Sequence, residues 1–213
     1  MSRSSRREFI SLVGGGVGAA ALAPGLLQSQ STAGQEWDFS WLDKLTGKHR
    51  QLFDLGNLEM GLIVVRNWYD AWERIFRLKH PEVNAVVGIA GSTFPINASD
   101  ELYREFPIGE RWQIKDPATG EWAVRNIFME GGEGPPMIRE GKVRPLQARG
   151  AVFWQCNNAL HGVAHQLASG TQRTQPEVYA ALRKGLNPGV IVVPAHTMLV
   201  GLCQERGCTY EKI

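Results

Sequence analysis

The sequence lacks a concentrated positive charge, lacks the common phosphate- and acyl-handling loops, and is poor in cysteine. Each lack narrows what the chain can do. No run of lysine and arginine is long enough to neutralise a phosphate backbone, which argues against a nucleic-acid partner. Gly88, Gly91 and Ser92 follow an apolar run but do not complete the G-x-G-x-x-G of dinucleotide sites. A phosphate-binding P-loop and the G-x-S-x-G of serine hydrolases are also missing. The cysteines are Cys156, Cys203 and Cys208, an odd number. In an oxidising compartment an odd count leaves at least one free thiol or an intermolecular bridge. Cys203 and Cys208 could pair locally; the sequence leaves that open.

The 213-residue chain does have a marked N-terminus. Arg6-Arg7-Glu8-Phe9-Ile10 sets two adjacent arginines just before an apolar pair, and an uncharged stretch rich in Gly, Ala, Val and Leu runs from Ser11 to Leu27. Residues 1–33 are expected to be a twin-arginine signal peptide cut after Ser31-Thr32-Ala33. Ala21-Leu22-Ala23 is a second small-x-small site, but Pro24 opposes cutting there. The stretch is too short and glycine-broken for a stable membrane span, which takes about 20 apolar residues. The expected location is the periplasm, with the twin-arginine translocase as the partner during export. That route carries folded cargo. Residues 1–33 hold three arginines and one glutamate, so the remainder has 20 basic and 20 acidic residues against 23 and 21 in the whole chain. The excess positive charge therefore belongs to the signal.

The rest fits one domain. Residues 34–48 read as a lead-in whose Trp37, Phe39, Trp41 and Leu42 dock on the core. His49 to Leu55 reads as a strand, and Leu62 to Leu78 as an amphipathic helix stopped by Pro81. Asn84 to Ala90 is a nearly continuous apolar run, the pattern of a strand covered on both faces. A short helix is expected over 99–106. Residues 107–149 break the rhythm and read as an insertion, a lid or an assembly surface. Within it, Trp112-Gln113-Ile114-Lys115 and Trp122-Ala123-Val124-Arg125 flank a Pro- and Gly-bearing turn, a β-hairpin signature. Strands over 151–155, 189–195 and 208–213 then alternate with helices over 157–169, 178–186 and 196–206, the last stopped by Gly207. Asn157 or Asn158 is the expected cap of the first of these helices. The fold class is α/β, a three-layer sandwich with a mainly parallel sheet.

Cys156 falls where a strand ends and a helix begins. Ligands of open α/β sheets bind at the carboxyl ends of strands, and a helix N-terminus favours a thiolate. His161 and His165 lie four apart on one face of the next helix, and His196 follows another strand. His161 is a candidate base or hydrogen-bond partner for the thiol. Cys156, His161, His165 and His196 are also a candidate soft site for zinc, copper or haem. Asp54 and Asn57, at the end of the first strand, together with Asn157 and Asn158 complete the candidate ligand-binding rim. The seven tryptophans read as core, lead-in and interface packing.

Gly150-Ala151-Val152-Phe153-Trp154-Gln155-Cys156-Asn157-Asn158-Ala159-Leu160 resembles the cysteine segment of the DsrE/DsrF-like family. Gly189-Val190-Ile191-Val192-Val193-Pro194-Ala195-His196, followed by a helix and Glu205-Arg206-Gly207-Cys208-Thr209-Tyr210, is similar to that family's ending. The likeness covers about 150–213 and extends to 49–91; it leaves out the signal and the insertion. It implies a small α/β sandwich over 49–213, assembly into homo-oligomers, and Cys156 at the position that carries sulfur as a persulfide. The well-known sulfur-relay members are cytoplasmic, so export is a departure. Two functions follow as expectations. One is an exported DsrE-like protein handling sulfur or a related small ligand through a reactive cysteine. The other is a non-catalytic module binding a metal, haem or small molecule.

Overall fold

Short segments rich in valine, isoleucine and phenylalanine line up as a five-stranded sheet, parallel throughout. In this computed structural model residues 37–58, 60–131 and 135–213 are described. The expected signal peptide, residues 1–33, and the start of the lead-in lie outside the described residues. The strands are β1 His49–Asp54, β2 Val83–Ile89, β3 Val152–Cys156, β4 Val190–Val193 and β5 Thr209–Lys212. They lie in the order β4-β3-β2-β1-β5. The chain steps outward from β1 to β4, then crosses back to the far side of β1. The α/β sandwich expected from the alternating pattern is thus present.

The side-chain alternation of each strand feeds two separate cores. Phe53, Ala85, Val87, Ile89 and Phe153 point to one face, covered by α1 Gly61–Ala71, α5 Val143–Ala148, α6 Asn157–Ala168 and α7 Gln175–Lys184. Leu52, Val86, Trp154 and Val193 point to the other, covered by α8 His196–Glu205 and by the lead-in, where a short 3-10 helix over Ser40–Lys44 buries Trp41 and Leu42. The return crossover from β4 to β5 places α8 opposite the other helices, as right-handed connections require.

Three local features differ from expectation. Helix α1 passes into a π-helical turn, Trp72–Phe76, and stops at Arg77, whose φ is 62°, before Pro81 is reached. The expected hairpin in 107–149 is a single antiparallel bridge, Lys115 with Trp122, around the Asp116–Gly120 turn. Asp116 is tied there by Arg125, at 2.7 Å, and this ion pair holds its carboxyl below the usual carboxylate range. The insertion also does more than cover the core. It follows α2 Asp100–Glu105, contains α3 Ile108–Arg111 and α4 Pro136–Glu140, and sends Ile108, Ile114, Phe128, Val143 and Leu146 into the first core.

Candidate functional site

The sheet register sets one row of residues across the strands at their carboxyl ends. Lys212 pairs with Asp54, Asp54 with Gly88, Gly88 with Trp154, and Trp154 with Ile191. Strand alternation turns these toward α8. Cys156, two residues beyond Trp154, follows on the same face.

Cys156 is the last residue of β3 and also the cap of α6. Its sulfur accepts the N–H of Ala159 at 3.4 Å, so the cysteine itself, rather than Asn157 or Asn158, closes the helix start. A second donor comes from the neighbouring strand. Val193 pairs with Cys156, Pro194 and Ala195 turn the chain, and α8 begins at His196. The His196 backbone N–H reaches Cys156 Sγ at 3.3 Å. The sulfur thus sits between the N-termini of two helices and accepts one amide from each, an arrangement that stabilises negative charge. The residue is 5% exposed.

The His196 ring lies over Gly88. A Cβ there would stand 3.0 Å from His196 Cε1 and 2.7 Å from Trp154 Cζ2, so only glycine leaves room for both rings. Trp154 Nε1 donates to His196 Nδ1 at 3.2 Å, and His196 Nε2 lies 3.1 Å from Asp54 Oδ1. Indole N–H is only a donor, so the network assigns the imidazole proton to Nε2, from which it is donated to Asp54. Burial holds the His196 pKa below the ordinary histidine value, outweighing the pull of Asp54. With the ring neutral, its contact with Asp54 is a hydrogen bond rather than an ion pair. Asp54 Oδ2 accepts from Tyr210 at 2.8 Å and from Lys212 Nζ at 2.9 Å. Burial works to raise the Asp54 pKa, but the bonds from Lys212 and Tyr210, aided by the neighbouring cation, bring it below the usual carboxylate range.

The expected site residues therefore divide. Cys156, His196 and Asp54 belong to one connected arrangement. His161 is exposed and stacks flat on Tyr179 of α7, centroids 3.9 Å apart and planes 6° apart. His165 and Asn158 are exposed on α6. Asn157 is buried, but its side chain accepts from Tyr179 at 2.6 Å and from Arg183 at 3.2 Å, which fastens α6 to α7. Asn57 lies in the loop after β1 and accepts from the Met60 N–H at 3.3 Å.

Cys156, His161, His165 and His196 are the residues expected to form a soft site for zinc, copper or haem. Both ring nitrogens of His196 are engaged, and His161 faces Tyr179. Among the described residues no group of three or more His, Cys, Asp or Glu side chains is placed to hold a metal ion. A cleft of about 870 Å³ opens elsewhere, between the insertion and Asn187-Pro188. None of the expected site residues lines it, and its Arg125, Lys142 and Arg144 are balanced by Asp100, Glu101 and Glu130.

Sequence reasoning missed Trp154, Gly88, Tyr210 and Lys212. Tyr210 and Lys212 are two apart on a strand, which was a usable sign that they share a face. Comparison with protein-family models, curated proteins and solved structures finds no match to this chain.

Proposed function

We propose that the protein is an exported, DsrE-like thiol protein of the periplasm that takes up sulfur, or a related small ligand, on Cys156. The observation that carries the reading is the Cys156 sulfur, which receives one backbone N–H from the start of α6 and one from the start of α8. The thiolate is the form that acts as nucleophile, and both amides point at the atom that bears its charge. In the step proposed, the Cys156 thiolate attacks the terminal sulfur of a small persulfide. The sulfur–sulfur bond of the donor breaks, the donor leaves as a thiolate, and Cys156 becomes a persulfide. No net oxidant is needed. The same amides then face the negative charge on the new terminal sulfur or on its neighbour.

His196 acts as a positioning residue. Its ring is fixed between Trp154 and Asp54, and this holds the first turn of α8 where its amide meets Cys156. The resemblance of 150–213 to the DsrE/DsrF-like family supports the same reading and adds self-assembly to it. Among the described residues no helix is long and apolar enough to cross a membrane.

Mature protein recovered from the periplasm, reduced and then treated with a small persulfide donor, should gain sulfur by intact mass. The gain should map to Cys156 and vanish in Cys156→Ser. The same spectrum should show an N-terminus at Gly34. Sulfur that fails to add at Cys156, or adds equally in Cys156→Ser, would sink the carrier role; a retained residue 1 would sink export with cleavage.

A further inference from the structure

Helix α8 and strand β5 are separated by a joint that carries the other two cysteines. Gly207 has a φ of +78°, in the left-handed region. Its N–H donates to the Gln204 carbonyl at 2.8 Å, and the Cys208 N–H donates to the Cys203 carbonyl at 3.0 Å. This pair of bonds ends a helix at a left-handed glycine. The motif brings the side chain just after the glycine against one in the helix's last turn, usually as an apolar contact. Here the two positions are Cys208 and Cys203. Both are buried, 6% and 0% exposed, in the core formed with Trp41, Leu42 and Leu199. The Cys208 N–H bond to the Cys203 carbonyl sets the two residues side by side, and each thiol shifts the protonation of the other.

We propose that Cys203 and Cys208 form a reversible intramolecular disulfide by exchange with a low-molecular-weight disulfide, fastening the end of α8 to the start of β5. The proposal goes beyond the role given to Cys156 and does not depend on it. The thiols are unequal. The Cys203 S–H donated to Cys208 holds the Cys208 pKa below the ordinary thiol value, with the Arg50 cation adding to this. The same bond, with burial, pushes Cys203 up. Arg50 is anchored by its bond to the Leu45 carbonyl at 3.1 Å.

Cys208 is therefore the first attacker. Its thiolate attacks one sulfur of the small disulfide, whose other half leaves as a thiolate and takes a proton. Cys203 then loses its proton to solvent and attacks the Cys208 sulfur, releasing the second small thiol. Two protein thiols and one small disulfide become one protein disulfide and two small thiols. Two electrons pass from the protein to the small disulfide. Cys208 lies one residue before β5, an edge strand whose residues are all exposed, and the small disulfide reaches the buried thiols when that edge opens. The bond would also support the Asp54 network, because α8 carries His196 at its other end and β5 carries Tyr210 and Lys212.

The test equilibrates the mature chain with glutathione mixtures of increasing oxidised fraction, traps free thiols by alkylation, and maps peptides by mass. The expected result is a Cys203–Cys208 link with the loss of two hydrogens, Cys156 alone left to alkylate, and a melting temperature raised by several degrees. Cys156→Ser should give the same link, and Cys203→Ala/Cys208→Ala should lose the melting shift. Alkylation of all three thiols in the most oxidising mixture would overturn the proposal. So would links found only between molecules or only to Cys156. Because the link is read in Cys156→Ser as well, failure here is distinguishable from failure of the sulfur-carrier reading.

Discussion

His196 is a histidine whose charge is governed by what surrounds it on three sides. Burial disfavours its protonation, and the Trp154 N–H occupies the nitrogen that a second proton would need. In the unfolded chain the ring titrates at about 6.5. Between that value and its lower folded value the unfolded state binds more protons, so stability rises with pH across that window. It should be fully present above about 6.5 and fall as the solution is acidified toward the folded value. Asp54, also lowered, adds a second loss only at pH below the ordinary carboxylate range, about 3.9. Urea midpoints measured across both ranges should show the two declines. Trp154→Phe removes the donor to Nδ1, so the His196 proton resonances should titrate at higher pH than in the parent and the upper decline should become shallower. An unchanged titration would mean that the tryptophan does not set the histidine's protonation. At this scale the sequence was informative about the thiol and not about its setting. Cys156 announces itself by following a β-branched and aromatic run and preceding a capped helix. Nothing in residue order says that Trp154 is a hydrogen-bond donor rather than packing. Likewise the i,i+4 spacing of His161 and His165 fixes a helical face but not the Tyr179 ring that meets it across α7.

The helix ends show how far element boundaries follow from local chemistry. Gly207 was legible as a stop because glycine enters the left-handed region at no steric penalty. A Gly207→Ala change should cost about 1–2 kcal/mol, read as a lower urea midpoint with an unchanged slope. The larger effect should appear at the α8–β5 joint, where a Cβ would also stand 2.9 Å from Arg50 Nη2. If the variant matches the parent in stability, the paired-bond stop is not what holds β5 in place. Helix α1 behaves differently. Pro81 was the visible breaker, yet the chain leaves the helix at Arg77 after a π-helical turn, with His49 stacked 3.8 Å from Trp72 beside it. The expected end, Leu78, lies two residues past the observed one. The expected hairpin also differs: its alternating residues are there, but Ile114 and Ala123 are drawn into the first core and leave one bridge in place of a ladder.

At the scale of the molecule, the α/β class could be read from the alternation of apolar runs and helices, whereas the strand order could not. Periodicity says which residues face a core; it does not say that β5 returns to lie beside β1. That return supplies half of the Asp54 network. Tyr210 and Lys212 stand 156 and 158 residues away from Asp54 along the chain, and the Ile213 N–H donates to the Asp54 carbonyl at 3.0 Å. β5 is short, exposed and at an edge, so hydrogen exchange should be fastest there among the five strands, with β2, buried at every position, the slowest. Exchange in β5 as slow as in β2 would show that the edge does not open separately.

The pairing of β5 with β1 also bears on when the site comes into being. Contacts this distant in sequence carry the largest loop-closure penalty. A partly folded chain with β1 to β4 in place would hold Asp54 on an edge strand without Tyr210 or Lys212. It would also hold a Cys156 with only one of its two amides, because α8 docks as the chain crosses back. Assembly of the site is therefore tied to completion of the sheet, and a chain moved across a membrane unfolded would have to complete that step afterwards.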